Sequence, residues 1–137
     1  MDRITIRFAG ELIADTTRAF RLLETSHPPA YYLPPDDLRW DLLEPVPGRS
    51  ACEFKGNASY MTIVANGRRS ERAGWLYKNP TSAFRSITGY VAFYASRVDE
   101  AKVGDDIAFA QAGDFYGGWI MPWVIGPFKG APGTGGW

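Results

Sequence analysis

The Asn66-Gly67 pair constrains the fold of this chain more than any other feature of the sequence. It lies at the centre of "ASYMTIVANGRRSERAGWLY", between segments that contain several β-branched and aromatic residues. An Asn-Gly pair in this setting is a strong signal for a β-hairpin, because both turn residues must adopt positive φ. The sequence therefore predicts a central hairpin with strands over residues 58–65 and 68–77.

Three other segments also favour strands. In "RITIRFAG", apolar Ile4, Ile6 and Phe8 alternate with polar residues, which is typical of a half-buried strand. The segment "LIADTTRAFRLLE" is interpreted as two short strands around a turn at residues 15–17, with an amphipathic helix as the alternative. "YVAFYA" is a continuous apolar run that predicts a strand buried on both faces.

Proline and glycine define the remaining segments. Four prolines in "HPPAYYLPPDD" are incompatible with a helix or a central strand, so this segment is predicted to be an ordered, extended loop. "NPTSAFRSITGY" predicts one short helix, with Asn79 as N-cap, Pro80 at the first position and Gly89 at the end. The C-terminal segment "GDFYGGWIMPWVIGPFKGAPGTGGW" is predicted to be irregular and to pack its aromatic residues onto the body. The predicted fold class is mainly β.

Charge and cysteine content narrow the setting and the partners. Lys+Arg and Asp+Glu each number 15, so the net charge is zero and nothing indicates long-range attraction to nucleic acid. The single cysteine cannot form an internal disulfide, which favours a reducing, cytoplasmic location. We expect no signal peptide at the start and no association with membranes, because no segment approaches the ~20 apolar residues of a membrane helix.

The sequence predicts no metal and no cofactor. One cysteine, Cys52, and one histidine, His27, cannot complete a structural zinc site, which needs four such ligands. Asp36-Asp37 and Asp105-Asp106 are adjacent carboxylates of the kind usually solvated in turns. No glycine-rich phosphate-binding motif lies between a predicted strand and a predicted helix.

The candidate site begins with the segment "CEFKGNASY". Only four of the 15 cationic residues are lysines, and Lys55 and Lys129 both occur in Phe-Lys-Gly. A compact ammonium next to glycine can approach a carboxylate or phosphate closely, so Lys55 is a candidate ligand-binding residue, or else an exposed lysine in a turn. Cys52 is a candidate nucleophile or a small packed residue. Glu24 is a candidate partner of Lys55, an acid or base, or an ordinary charge at a strand end.

Aromatic residues of the central hairpin supply the candidate walls of this site. Trp75 and Tyr77 are two residues apart and therefore point to the same face of their strand, and Tyr60 lies on the partner strand. Such a group can line a ligand pocket or fill the core of a sheet. Both interpretations are open from the pattern alone.

Several motifs together resemble the domain-of-unknown-function family DUF427, which also carries a nucleotidyltransferase-like label. They are "GELIAD", "ETSHPPAYYLPPDD", "CEFKGNASY", "AGWLYKNP" and "ITGYVAFYASRV", in matching order. The resemblance implies a single-domain fold of the β-tent type, with folded sheets over residues 1–100 and an extension at 101–137 packed on the same domain. It also implies that Tyr32 joins the site. The characteristic positions of the family correspond to Gly10, Ala14, Asp15, Glu24, Tyr32, Pro34, Asp37, Cys52, Lys55, Gly56, Tyr60, Trp75, Tyr77 and Pro80.

Three functional hypotheses follow. The first is an aromatic-lined pocket that binds a small polar or anionic ligand through Lys55. The second is a protein-interaction module in which Trp119, Trp123 and Trp137 pack against a partner or a second copy of the chain. The third, which follows only from the family label, is a nucleotidyltransferase-like enzyme. No reaction is implied by the residues themselves. The predicted ligand-binding residues are Glu24, Tyr32, Cys52, Lys55, Tyr60, Trp75 and Tyr77.

Overall fold

The computed structural model describes residues 3–22, 30–52, 56–80, 82–110 and 119–120. Within these residues the backbone forms antiparallel strands joined by turns and short 3-10 helices. The strands are β1 (Ile4–Phe8), β2 (Glu11–Thr16), β3 (Phe20–Leu22), β4 (Ala30–Tyr32), β5 (Leu43–Cys52), β6 (Gly56–Ala65), β7 (Arg68–Tyr77), β8 (Val91–Phe93), β9 (Glu100–Val103), β10 (Asp106–Ile107), β11 (Phe109–Ala110) and β12 (Trp119–Ile120).

The strands form two four-stranded sheets and two smaller pairs. The first sheet has the order β10-β9-β1-β2, the second has the order β5-β6-β7-β8, and β3–β4 and β11–β12 are two-stranded. The predicted fold class, mainly β with folded sheets, is therefore confirmed. The segment after the first hairpin turn forms β2 and β3, as the strand interpretation predicted, and not the alternative helix. The turn lies at residues 17–19 and not at 15–17, because Asp15 and Thr16 still pair with β1.

The predicted short helix is a six-residue 3-10 helix, Ser82–Ile87. It begins after the predicted start signal at Asn79-Pro80. Shorter 3-10 helices lie at Pro35–Asp37, Trp40–Leu42 and Ala95–Arg97. None of the helices among the described residues is long and apolar enough to cross a membrane.

The turns of two hairpins meet and join the two large sheets. Asn66 and Gly67 adopt φ of 49° and 79°, as the hairpin signal requires. The Asn66 side-chain amide donates to the Ala9 carbonyl oxygen, at 2.7 Å, in the turn between β1 and β2. The Ala9 backbone N–H donates to a carboxylate oxygen of Asp99, also at 2.7 Å. Asn66 therefore shapes its own turn and also links it to the other sheet.

The main core takes buried side chains from both large sheets. Its buried members are Ile4, Ile6, Phe8, Ile13, Ala14, Tyr31, Leu33, Leu38, Met61, Ile63, Ala65, Ala73, Leu76, Val91, Phe93, Ala101, Val103, Ala108 and Trp119. Phe93 of β8 is fully buried, and its ring lies over Gly74 of β7. A Cβ atom at Gly74 would be 3.0 Å from the Phe93 ring, so only glycine fits under this ring without a shift.

Trp119, from the C-terminal segment, belongs to this core. Its side chain is 1% exposed, and its indole N–H donates to the Phe93 carbonyl oxygen at 2.8 Å. Its ring lies 5.1 Å from that of Tyr31. Upstream of it, β9 pairs with β1. The division into a domain at 1–100 and an extension at 101–137 stays a prediction.

Candidate functional site

A second group of packed residues, the aromatic cluster, contains all four described side chains of the predicted site. Its buried members are Tyr32, Ala58, Trp75, Tyr77, Ile87 and Ala92, and the partly buried residues packed against them are Leu22, Ala30, Tyr60, Tyr90 and Tyr94. It is distinct from the main core.

The pairing of β6 with β7 explains how the sequence assembles this cluster. Tyr60 pairs with Trp75, and Ala58 pairs with Tyr77. Because side chains alternate between faces along a strand, these four residues share one face of the sheet. The small Ala58 leaves room on this face beside the larger rings. The predicted common face of Trp75 and Tyr77 is therefore observed.

The rings of the cluster form a continuous series. Tyr32 of β4 lies edge-on to Trp75, with ring centres 6.2 Å apart and an interplanar angle of 87°. Tyr32 is also 6.4 Å from Tyr77. On its other side, Trp75 lies 4.6 Å from Tyr94, which follows β8. Such offset and edge contacts are favourable beyond the apolar area that they bury.

Burial divides the cluster into an interior and a border. Tyr32, Trp75 and Tyr77 are 2%, 8% and 6% exposed, so they are packed within the protein. Tyr60 and Tyr94 are only partly buried and lie at the border. Any molecule that contacts the cluster in this conformation would therefore meet the border tyrosines first.

A β-bulge in β7 lies directly beside the border residue Tyr60. Between the paired positions Met61–Gly74 and Ile63–Ser70, β6 has one residue and β7 has three. Arg72, in the middle of the three, adopts φ of 51°. Left-handed backbone costs a residue other than glycine about 1–2 kcal/mol. Bulges of this kind redirect side chains and occur often next to functional sites.

Hydrogen bonds on both sides hold this bulge. The buried Thr62 hydroxyl donates to a Glu71 carboxylate oxygen at 3.1 Å and accepts the Arg72 backbone N–H at 3.3 Å. The Arg97 guanidinium donates to the Glu71 carbonyl oxygen at 2.8 Å. The guanidinium of Arg69 and the hydroxyl of Thr62 keep the pKa of the Glu71 carboxyl below its ordinary value, so this group is ionised at neutral pH.

Two guanidinium groups lie at the border of the aromatic cluster, one from the bulge and one from the 3-10 helix at Ala95–Arg97. The Arg72 guanidinium carbon lies 5.2 Å from the centre of the Tyr60 ring. The Arg97 guanidinium carbon lies 5.1 Å from the centre of the Tyr94 ring. A guanidinium stacked on an aromatic face can still direct its N–H groups outward, in its own plane. The border of the cluster therefore combines aromatic surface with positive charge.

A separate groove of about 230 Å³ lies at the other side of the same sheet. Its lining residues are Trp40, Leu43, Pro45, Val46, Ser59, Tyr60, Met61, Leu76 and Lys78. Ser59 and Met61 alternate with Tyr60 along β6, so their side chains belong to the opposite face from the aromatic cluster. Tyr60 is the one predicted site residue among those that line this groove.

The other predicted site residues are described only in part. Cys52 is the last residue of β5, where its backbone pairs with that of Gly56 at the start of β6. Lys55 lies in the connection between these two residues, outside the described residues, and so does Glu24. The proximity of Lys55 to Glu24 and to the aromatic cluster therefore stays a prediction.

One of the acidic residues that were considered for metal binding, Asp37, has other contacts. Asp37 accepts hydrogen bonds from the Thr16 hydroxyl, at 2.6 Å, and from the Arg18 guanidinium, at 3.0 Å. These two contacts lower the pKa of the Asp37 carboxyl. No group of three or more potential metal-binding side chains occurs in the part of the chain that the structure describes.

Sequence reasoning missed Arg72 and the border residue Tyr94. A signal for the bulge was present, because a two-residue turn joins predicted strands of unequal length, over 58–65 and 68–77. If both strands pair along their full length, the excess of two residues on the second strand must be taken up by an irregularity within it. The identity of the irregular residue depends on pairing, which the lengths alone do not determine.

Comparison with known proteins gives a family but no function. A family model described as "Domain of unknown function (DUF427)" matches residues 1–104. A search of curated proteins found no match.

Proposed function

The chain belongs to the DUF427 family, and we propose that it binds a small polar or anionic molecule at the border of its aromatic cluster. The observation that carries this proposal is the half-buried Tyr60, which pairs with the buried Trp75 across the hairpin and has the guanidinium of Arg72 over its ring. Aromatic walls with a few convergent polar groups are the common composition of small-molecule sites.

Lys55 supplies further positive charge in this proposal. It lies in the connection that leads into β6, the strand that carries Tyr60. Glu24, Cys52, Tyr32 and Tyr77 complete the proposed set, with Tyr32 and Tyr77 supporting the position of Trp75 from the interior through ring contacts. Cys52 has a packing role in this proposal, because no base has been assigned to it.

A thermal-shift screen of metabolites and nucleotides tests the proposal. A ligand at a hundred times its dissociation constant stabilises the folded protein by about 2.7 kcal/mol, which raises the melting temperature measurably. At least one small polar or anionic compound should do so. A screen in which no such compound changes the melting temperature would contradict the proposal.

Two substitutions then separate the roles of the residues near β6. Lys55→Met should weaken binding of the screened compound by at least about 1 kcal/mol, the scale of a charged hydrogen bond. Lys102→Met, on β9 of the other large sheet, is the matched control and should leave binding unchanged. Cys52→Ser should change stability more than binding. Loss of binding in Cys52→Ser, with full binding in Lys55→Met, would reverse the two roles.

A further inference from the structure

Among the described residues, three arginines lie over aromatic rings, and they differ in what binds to their N–H groups. Arg68 stacks on Phe8, with its guanidinium carbon 4.6 Å from the ring centre. The edge of this guanidinium holds both carboxylate oxygens of Asp99, at 2.9 and 3.3 Å. Arg68 therefore combines stacking on a ring with bidentate binding of an oxyanion.

Arg72 also lies over an aromatic ring, that of Tyr60, but it does not bind a carboxylate of the described residues. Its guanidinium has no carboxylate partner among the described residues. The adjacent Glu71 is engaged elsewhere, because Thr62 binds one of its carboxylate oxygens and Arg69 binds the other. Glu44, across the sheet, has both oxygens on Arg69.

The backbone conformation at Arg72 indicates that the arginine side chain, and not the backbone, explains why arginine occurs at this position. Ala9 and Asn66, the other described positions of positive φ outside glycine, lie in two-residue hairpin turns, where the turn itself demands that conformation. Arg72 lies within a strand instead. Glycine or asparagine would adopt its left-handed conformation with less strain, so packing of the bulge does not require an arginine.

We propose that Arg72 binds the oxyanion of a small ligand, a carboxylate or a phosphate, in the position that Asp99 occupies on Arg68. This inference rests on the proposed function of the aromatic cluster and names the residue and the ligand chemistry. Tyr60 holds the guanidinium plane, and the two outward N–H groups take two oxygens of the anion. Arg97 and Thr62 act as positioning residues, because they hold the bulge that presents Arg72.

Nuclear magnetic resonance titration with small probes tests this inference. The probes are phenyl phosphate, benzoate and the neutral benzamide, and the signals are the Trp75 indole N–H and the Arg72 side-chain N–H. We expect at least one of the two anions to shift both signals and to bind more tightly than benzamide. The tighter of the two anions identifies the preferred oxyanion.

Variants assign the effect to Arg72. Arg72→Gln should weaken binding of the anion by about tenfold, the scale of a charge-assisted contact, and leave benzamide binding unchanged. The control Arg7→Gln, at an exposed arginine of β1, should change anion binding by less than about twofold. Arg72→Asn should lose anion binding to the same extent and keep or raise the melting temperature, since asparagine tolerates the left-handed conformation.

The outcomes separate this inference from the proposed function. If the anions and benzamide all bind and Arg72→Gln does not weaken anion binding, the aromatic site stands and the role of Arg72 is wrong. If none of the probes shifts the Trp75 signal, both are contradicted. A drop in melting temperature in Arg72→Asn, with anion binding retained, would make Arg72 a structural residue.

Discussion

The main core and the aromatic cluster differ in how far burial explains the residues that each contains. The main core is mostly aliphatic, draws on both large sheets and includes residues that are completely buried, such as Ile6, Ile63 and Phe93. The aromatic cluster combines one large sheet with the small β3–β4 pair, and Tyr60 and Tyr94 at its border are only partly buried. Burial explains the composition of the first region. It leaves the stacked arginines at the border of the second unexplained.

The two regions should therefore contribute differently to the stability of the fold and to the proposed binding. Partly exposed tyrosines beside guanidinium groups contribute less to folding than buried aliphatic side chains, because less apolar area leaves water. Substitutions in the main core should therefore lower stability, and substitutions at the border of the aromatic cluster should mainly change binding.

The largest effect is expected at Phe93. Phe93→Ala removes a fully buried ring from the main core and should lower the free energy of unfolding by about 3–5 kcal/mol. Ile107→Ala, at a side chain that is 46% exposed, is the control and should change it by less than about 0.5 kcal/mol. Chemical denaturation measures both. Similar values for the two variants would contradict the position of the main core.

Gly74 should show the next largest effect. Gly74→Ala places a Cβ atom 3.0 Å from the Phe93 ring and 3.3 Å from the Ala92 carbonyl oxygen, so we expect a loss of about 1–3 kcal/mol. In a Phe93→Leu background the ring atoms are absent, and the loss should be smaller. A loss of equal size in both backgrounds, again by denaturation, would show that the ring contact is not its cause.

Trp119 and Trp40 offer a matched pair. The indole N–H of each donates to a backbone carbonyl oxygen at 2.8 Å, but Trp119 is 1% exposed and Trp40 is 42% exposed. Trp119→Phe should cost about 1 kcal/mol, since it leaves a buried acceptor unsatisfied, and Trp40→Phe should cost close to nothing. Equal costs in thermal unfolding would argue against Trp119 as a member of the main core.

The smallest effect on stability is expected from acid. It acts on the carboxylate of Asp99, which binds both the turn between β1 and β2 and the hairpin of β6 and β7. Arg68, and then the Ala9 backbone N–H, lower the pKa of Asp99 below its ordinary value of 3.8. Asp99 therefore stabilises the fold fully above that value, and this contribution is lost as the pH falls through the lowered pKa. The melting temperature should fall less steeply with acid in Asp99→Asn than in the wild type. Identical acid profiles would contradict this contribution.

The sequence predicted the elements that local patterns specify. The bounds of β7 were predicted correctly, and the turn at Asn66-Gly67 has the expected φ values. The extent of β5 was missed, because Pro45 and Pro47 argue against a strand. The structure accommodates them at the edge of the sheet, where the register shifts between Pro45 and Arg49. Strands β10 to β12 have two residues each and depend on pairing, which local patterns do not encode.

For the candidate site, the sequence predicted the common face of Trp75 and Tyr77, because strand alternation is local. It did not predict that Tyr94 would contact Trp75, or that Arg72 would lie over Tyr60. Both contacts depend on strand register and on the bulge. The sequence pattern therefore identified the aromatic residues of this face, and the register brought the cationic groups next to them.

The most direct test of the account compares affinity with stability in one variant, Tyr60→Leu. The affinity of the compound with the largest thermal shift is measured by calorimetry, and the free energy of unfolding is measured by denaturation. We predict that affinity falls at least about tenfold, the loss of a ring contact and of the support for Arg72, while stability changes by less than about 1 kcal/mol. A loss of stability above that value with unchanged affinity would contradict the account and make the aromatic cluster a second core.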